Sequence, residues 1–366
     1  MSAESVHQSR WTQVWPWVAL VVLVATWGRD LPGWLAAVVA IALTAAVLTA
    51  VHHAEVVALR VGEPFGSLIL ALAVTVIEVA LIVALVLAGD EKSETLARDT
   101  VFSAVMIACN GIVGICLLVG AIRHRVVAFQ SEGAAGAFAA ITAVATLSLV
   151  LPTFTTSEPG PVFSPPQLAF AAISSLLLYG LFAFVQTVRH RGYFQPVRLD
   201  GSVRSDDGDD RPDVSQRDAI TSLGYLLVCL IGVVGLAKVL SPSIESAVKS
   251  VGAPITVVGV AIAALVLLPE TFAAVRAAAD NRIQTSLNLA YGSALASIGL
   301  TIPAIAIVSI WLDGPLTLGL GPKELVLLAL TVAISTLTVL QGRATVLQGG
   351  IHLTAFAAFV FLAFSP

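Results

Sequence analysis

Residues 67–87 read SLILALAVTVIEVALIVALVL, an apolar run with one charge, Glu78, near its centre. About 20 consecutive apolar residues cross the roughly 30 Å hydrocarbon core of a bilayer as a helix, so the run predicts a transmembrane helix with a carboxylate near the midplane. A carboxylate at that depth costs about 2.5 to 3.5 kcal/mol on insertion scales, and such groups face polar cavities and mark ion or proton paths. A glutamate bonded to a neighbouring helix is the plainer alternative. A second carboxylate, Glu270, in a comparable place in the other half of the chain favours the functional reading.

Composition sets the class. Of 366 residues 57% are hydrophobic and 11% charged, with mean hydropathy +0.94, against roughly 25% charged residues in soluble domains. The expected fold class is an all-α polytopic membrane protein whose surface partner is the lipid bilayer. The net charge of -4 is small and spread among loops, which does not suggest nucleic acid as a partner. Cys109, Cys116 and Cys229 lie in apolar runs without CxxC spacing and read as small core residues.

Along the chain, eleven apolar stretches read as helices, at about 11–27, 34–51, 67–87, 100–122, 134–151, 168–188, 219–240, 253–279, 285–311, 323–340 and 345–364. The first has no A-x-A-like cleavage site at its end and is expected to stay as a helix. Helix two trails into HHAEVVALRVGEP, a short amphipathic piece read as a solvated or interfacial end. Its adjacent His52 and His53 point about 100° apart on a helix and chelate a metal poorly. Asn110, followed by Gly111 and Gly114 on helix four, suits either a helix contact or a ligand group. Residues 189–218 form the long hydrophilic segment, with seven aspartates and six arginines, and are expected to be a loop without a core.

Helices two to six and seven to eleven form two five-helix sets, each with its glutamate on the second helix and a Gly/Ser/Asn-bearing helix after it. An odd number of helices per set makes the copies inverted, an arrangement of secondary transporters whose site lies at the midplane between repeats. The expected division is 1–32 for the N-terminal segment and helix one, 33–188 for the first repeat, 189–218 for the acidic loop and 219–366 for the second repeat. If the N-terminus and the loops after even-numbered helices are cytoplasmic, thirteen of the 19 basic residues lie inside. The positive-inside rule therefore predicts a cytoplasmic N-terminus and acidic loop, an outside C-terminus and a bacterial-type inner membrane.

On helix eight, Pro269 precedes Glu270. Proline offers no N–H to the Leu265 carbonyl and strains the preceding turn, and carbonyls freed beside a carboxylate suit a cation. A simple kink near the helix end is the alternative. Helix nine supplies Asn288, Ser293 and Ser297 on a Gly/Ala-rich surface, with close packing as their baseline role and ligation as a second possibility.

The stretches GEPFGSLILALAVTVIEVALI (62–82) and LLPETFAAVRAAADNRIQTSLNLAYGSALASIGLTIP (267–303) resemble the two signature regions of ChaA-type calcium(sodium, potassium)/proton antiporters, in the cation/proton exchanger branch of the calcium/cation antiporter superfamily. The resemblance covers about residues 51–340. It implies that Glu78 and Glu270 bind cation or protons in alternation and are the metal-contacting carboxylates. It matches Asn110 to the asparagine of the helix after the first signature, and Gly292-Ser293 to the Gly-Ser after the second. The wider branch has Gly-Asn four and three residues before each glutamate, where this chain has Val74-Thr75 and Val266-Leu267, and a family glutamine near Ala296 is absent.

These readings predict exchange by competition. Two facing carboxylates in a low-dielectric cavity repel, so protons occupy the pair when the cation leaves and depart when it arrives. The expected cargo is Ca2+, with Na+ or K+ also carried, because a site furnished by Thr75, backbone carbonyls and water discriminates weakly. A monovalent Na+(K+)/H+ antiporter is the nearest alternative. No cofactor is expected, and the chain has no Walker motif. An intramembrane hydrolase would need HExxH or a nucleophile with a base, and His352 stands by itself in helix eleven. A non-transporting membrane protein would show no proton-coupled flux. Oligomeric state is not written in the sequence.

Overall fold

The computed structural model describes residues 10–61, 75–76, 79, 95–197, 214–250, 252, 254, 256–311 and 316–365. The helices among them are α1 (Arg10–Thr26), α2 (Gly33–Val61), α3 (Leu96–Met106), α4 (Val113–His124), α5 (Ser131–Ala145), α6 (Pro165–Phe184), α7 (Gln216–Ser250), α8 (Thr256–Val266), α9 (Leu268–Ala279), α10 (Ile283–Val308), α11 (Pro322–Leu340) and α12 (Val346–Phe364). A π-helical turn, Ile107–Ile112, joins α3 to α4 into one span. By length and composition, eight described segments can cross a membrane, and α8 with α9 makes a ninth as one bent span. The short apolar α1 is the first helix of the sequence reading. The 67–87 run, with Glu78, lies outside the described residues except for Thr75, Val76 and Val79. The chain is an all-α polytopic membrane protein, as its composition predicts.

The chain forms two compact units, Met1–Asp90 with Asp206–Gly252, and Glu91–Ser205 with Ala253–Pro366. In the first unit α1, α2 and α7 pack together, with Ala19 against Gly232 and Leu23 against Gly235. Helix two departs from its expected end: α2 runs unbroken to Val61, and His53 is fully buried rather than solvated. Pro16 inside α1 has no N–H for the Thr12 carbonyl. His53 Nε2 donates to that carbonyl at 3.0 Å, and its ring stacks on Tyr225 with centroids 5.0 Å apart. A carbonyl stripped of its helical donor needs such a partner in an apolar setting, which is what draws this histidine inside.

In the second unit the span Leu96–His124 is the most enclosed, with 78% of its apolar window buried against 28% for Val346–Phe364. It is therefore the core helix, while α6 presents Phe170, Ile173, Leu177, Leu181 and Phe184 outward at helical spacing as a lipid face. The ends of the unit reveal its symmetry. Val127–Ala128, after helix four, pairs antiparallel with Arg343–Ala344, after helix ten. Val162, after helix five, bridges Thr317, after helix nine. Helices four, five and six of the first repeat correspond to nine, ten and eleven of the second. Exchanging the copies thus turns the first pairing into the second, at the other end of the helices, as inverted repeats require. Gly342 makes the turn into the first pairing at φ +64°, and its carbonyl accepts from Phe129 N at 2.9 Å.

Candidate functional site

Helix eight is broken where proline predicts it. α8 and α9 meet at Leu267 with a bend of 54°. Glu270 therefore lies in the first turn of a half-helix, half-buried, where the positive end of the backbone dipole favours a negative charge. The Leu267 carbonyl is not free beside the carboxylate. It accepts from Thr271 N at 2.9 Å and Thr271 Oγ1 at 2.6 Å, so the new helix start claims it. Pro269 still offers nothing to the Leu265 carbonyl.

α9 packs against the π turn that carries Asn110. A π turn inserts a residue and loosens the helical ladder, and such bulges gather at functional sites. Asn110 is fully buried. Its Nδ2 donates to Thr331 Oγ1 at 2.8 Å and lies 3.8 Å from Met106 Sδ. Its Oδ1 accepts from His352 Nδ1 at 3.2 Å, and His352 Nε2 lies 3.2 Å from Thr338 Oγ1. Helices four, ten and eleven are thereby joined through one amide.

Thr75 is buried in helical backbone. Ser297 is fully buried on α10, and Ser293 is half-buried on the same helix. Asn288 is committed elsewhere: its Oδ1 accepts from Gln284 Nε2 at 2.9 Å, and its Nδ2 donates to the Phe194 carbonyl at 2.7 Å. Gln284 Oε1 in turn accepts from Gln130 N at 2.6 Å. Asn288 thus ties the start of the acidic loop to α10. Among the described residues no three His, Cys, Asp or Glu side chains cluster.

The sequence reading missed the polar partners of Asn110. Thr331, Ser335 and Thr338 follow one another at spacings of four and three, one face of a helix, and that pattern was the available signal. His352 is not isolated: the close approach of α12 to α4 brings it to Asn110, and that approach depends on glycines of both helices.

The sodium/calcium exchanger protein family matches this chain over residues 31–188 and 221–365. The y4hA protein of Sinorhizobium fredii is 44% identical over 371 residues, covering 100% of this chain and 99% of its own. The sodium-potassium/proton antiporter ChaA of Escherichia coli is 35% identical over 361 residues, covering 96% of this chain and 95% of its own. The crystal structure of the H+/Ca2+ exchanger CAX has the same fold, with TM-score 0.70 at 14% identity over 96% of this chain and 86% of that one.

Proposed function

This chain belongs to the sodium/calcium exchanger protein family, and from that premise we propose that it exchanges Ca2+, and also Na+ or K+, for protons across a bacterial-type inner membrane. It is a secondary transporter and not an enzyme. The observation that carries the reading is the broken helix, which sets Glu270 at the start of α9 beside the π turn of Asn110. Discontinuous helices at the midplane are where such transporters bind ions.

Glu78 and Glu270 are the groups that take protons or cation in alternation. A cation between two carboxylates is incompatible with protons on them, so loading one cargo expels the other. Thr75, Asn110, Ser293 and Ser297 supply further hydroxyl or amide oxygens. Calcium takes six to eight oxygens and two carboxylates supply at most four, so backbone carbonyls and water complete the shell. The repeats span 33–188 and 219–366 around the loop 189–218, after an N-terminal segment 1–32. The N-terminus and the loop lie in the cytoplasm and the C-terminus outside, an orientation supported by the basic residues.

The test is reconstitution of the full chain in vesicles with a pH-sensitive dye. Added Ca2+, Na+ or K+ should release protons in the wild type. Glu270→Gln should insert normally and release none, since the amide neither gives up a proton nor neutralises a cation. Normal release by this variant would overturn the shared-carboxylate mechanism. A second reading, exchange restricted to Na+ and K+, is favoured by the likeness to the sodium-potassium/proton antiporter of E. coli. It predicts release by the monovalent ions and none by Ca2+.

A further inference from the structure

We propose that Arg98 and Asp99 are positioning residues for exchange: they clamp helix four, the first half of helix eight and the loop before helix ten into one stiff end, as turnover by rigid-body movement requires. The inference rests on the exchange reading above and adds to it two residues outside the signature regions.

The pair sits where α3 begins. Asp99 lies in the first turn of α3, where the positive end of the backbone dipole favours its charge, and it is 4% exposed. Its Oδ1 accepts from Arg98 Nε at 2.8 Å and lies 2.7 Å from Arg98 Nη2. Thr95 Oγ1 donates to its Oδ2 at 3.4 Å. The third nitrogen of the same guanidinium, Nη1, donates to the Gly319 carbonyl at 3.2 Å. These directions have one solution, because an ionised carboxylate and a carbonyl only accept and a guanidinium only donates.

Both contacted segments are held closely. A Cβ on Gly259 of α8 would sit 3.1 Å from Asp99 C and from Thr100 N, so α8 meets α3 backbone to backbone at the clamp. On the loop, a Cβ on Gly319 would sit 2.6 Å from Pro161 Cβ and 2.8 Å from Thr153 N. Gly319 N donates to the Pro161 carbonyl at 3.0 Å, and Thr153 Oγ1 donates to the Leu320 carbonyl at 2.8 Å. Arg98 thus ties helix four to the chain that closes the Val162–Thr317 end, read above as outside. Glu324 pairs with Lys323 at 3.6 Å, which leaves Arg98 to Asp99. Arg98 also lines a cavity of about 630 Å3 at this end. Its charge therefore keeps some contact with solution, while Asp99 is buried and depends on it.

Inverted symmetry gives the clamp a counterpart. Helix four corresponds to helix nine, and the loop before helix ten to the loop before helix five. At the opposite end Gln284, in the first turn of α10, accepts from Gln130 N, directly before α5, at 2.6 Å. Each repeat reaches from the first turn of its third helix to the loop of the other, with an ion pair at one end and a neutral amide at the other. Two chemistries making one joint point to a mechanical need rather than to a ligand.

Charge and mechanics separate by substitution. The full-length protein is measured in vesicles with Na+ and Ca2+ as probes and rates per inserted molecule. Asp99→Asn should lower kcat about tenfold or more, since it leaves Arg98 unpaired and loosens the joint. KM should stay near the wild-type value, because about 10 Å of α8 separates the clamp from the bend. The double variant Arg98→Gln/Asp99→Asn leaves neither charge unpaired and offers an amide donor, so it should turn over faster than Asp99→Asn. A cation-binding role for Asp99 predicts instead a raised KM in both variants and no recovery in the double. Either that result or a wild-type kcat in Asp99→Asn would overturn the proposal. If Asp99→Asn fails to insert, Arg98→Lys decides. An ammonium keeps the charge beside Asp99 but cannot span the carboxylate and the Gly319 carbonyl as the planar fork does, so kcat should still fall, and an unchanged kcat would sink the idea. Wild-type protein with no cation-driven proton release would refute the exchange reading itself, whereas exchange with no recovery in the double variant refutes the clamp while exchange stands.

Discussion

Gly349 and Gly114 set how near α12 can come to α4, and the atoms they face make their substitutions unequal. A Cβ at Gly349 meets backbone, Leu118 N at 2.7 Å and Cα at 2.9 Å, which moves only if the helix moves. At Gly114 the Leu353 side chain lies at 2.9 Å and the Leu353 backbone N at 3.0 Å, so the fit is tight but less so than at Gly349. Gly136 on α5 has nothing within 4 Å. Overpacking costs about 1 to 3 kcal/mol, whereas a helical Gly→Ala without a clash gains about 0.4 to 1 kcal/mol. Thermal melts in detergent should therefore rank Gly349→Ala lowest, then Gly114→Ala, with Gly136→Ala at or above the wild type. Equal melting temperatures for the three would show that the helix contact is looser than its distances.

Among elements, the break between α8 and α9 and the anchor on α10 do different work. Pro269→Ala restores an N–H to the Leu265 carbonyl and removes the reason for the bend. The expected result is a melting temperature that does not fall, with exchange reduced by about tenfold or more, equivalent to about 1.4 kcal/mol. Wild-type exchange in this variant would show that the break is not needed to present Glu270. The anchor predicts a different signature. Asn288→Leu removes the bond to the Phe194 carbonyl, and a Cβ at Gly133 would overlap the Tyr193 carbonyl, so Gly133→Ala displaces the same segment. Both variants should speed limited proteolysis just beyond residue 194. An unchanged cleavage rate would remove the anchoring role.

At the scale of the molecule, the paired chain ends make a topological prediction. Thr156 and Arg343 are exposed and belong to opposite ends of the second unit, the first near the Val162–Thr317 bridge and the second within the strand pairing. The native cysteines are buried, so background labelling is low. A cysteine at Thr156 should react with an impermeant reagent on intact cells, and one at Arg343 only after the cells are opened. The opposite pattern would invert the proposed orientation, and labelling of both from one side would contradict the inverted repeat.

The sequence by itself determined the membrane class, the two sets of five helices and the break at Pro269. These follow from composition, from the length of apolar runs and from a missing N–H, all local or covalent properties. It also marked Glu270 as a carboxylate with no ordinary place in an apolar run. Tertiary structure decided the partners. Asn288 meets Phe194 across 94 positions of sequence and His352 meets Asn110 across 242, so no periodicity within one helix reports either contact. His53 is buried where its ring meets the Thr12 carbonyl of another helix, 41 positions away and one turn before Pro16. Which polar residue serves a site and which binds helices together depends on the donor or acceptor that packing brings opposite, and that is a property of the folded chain.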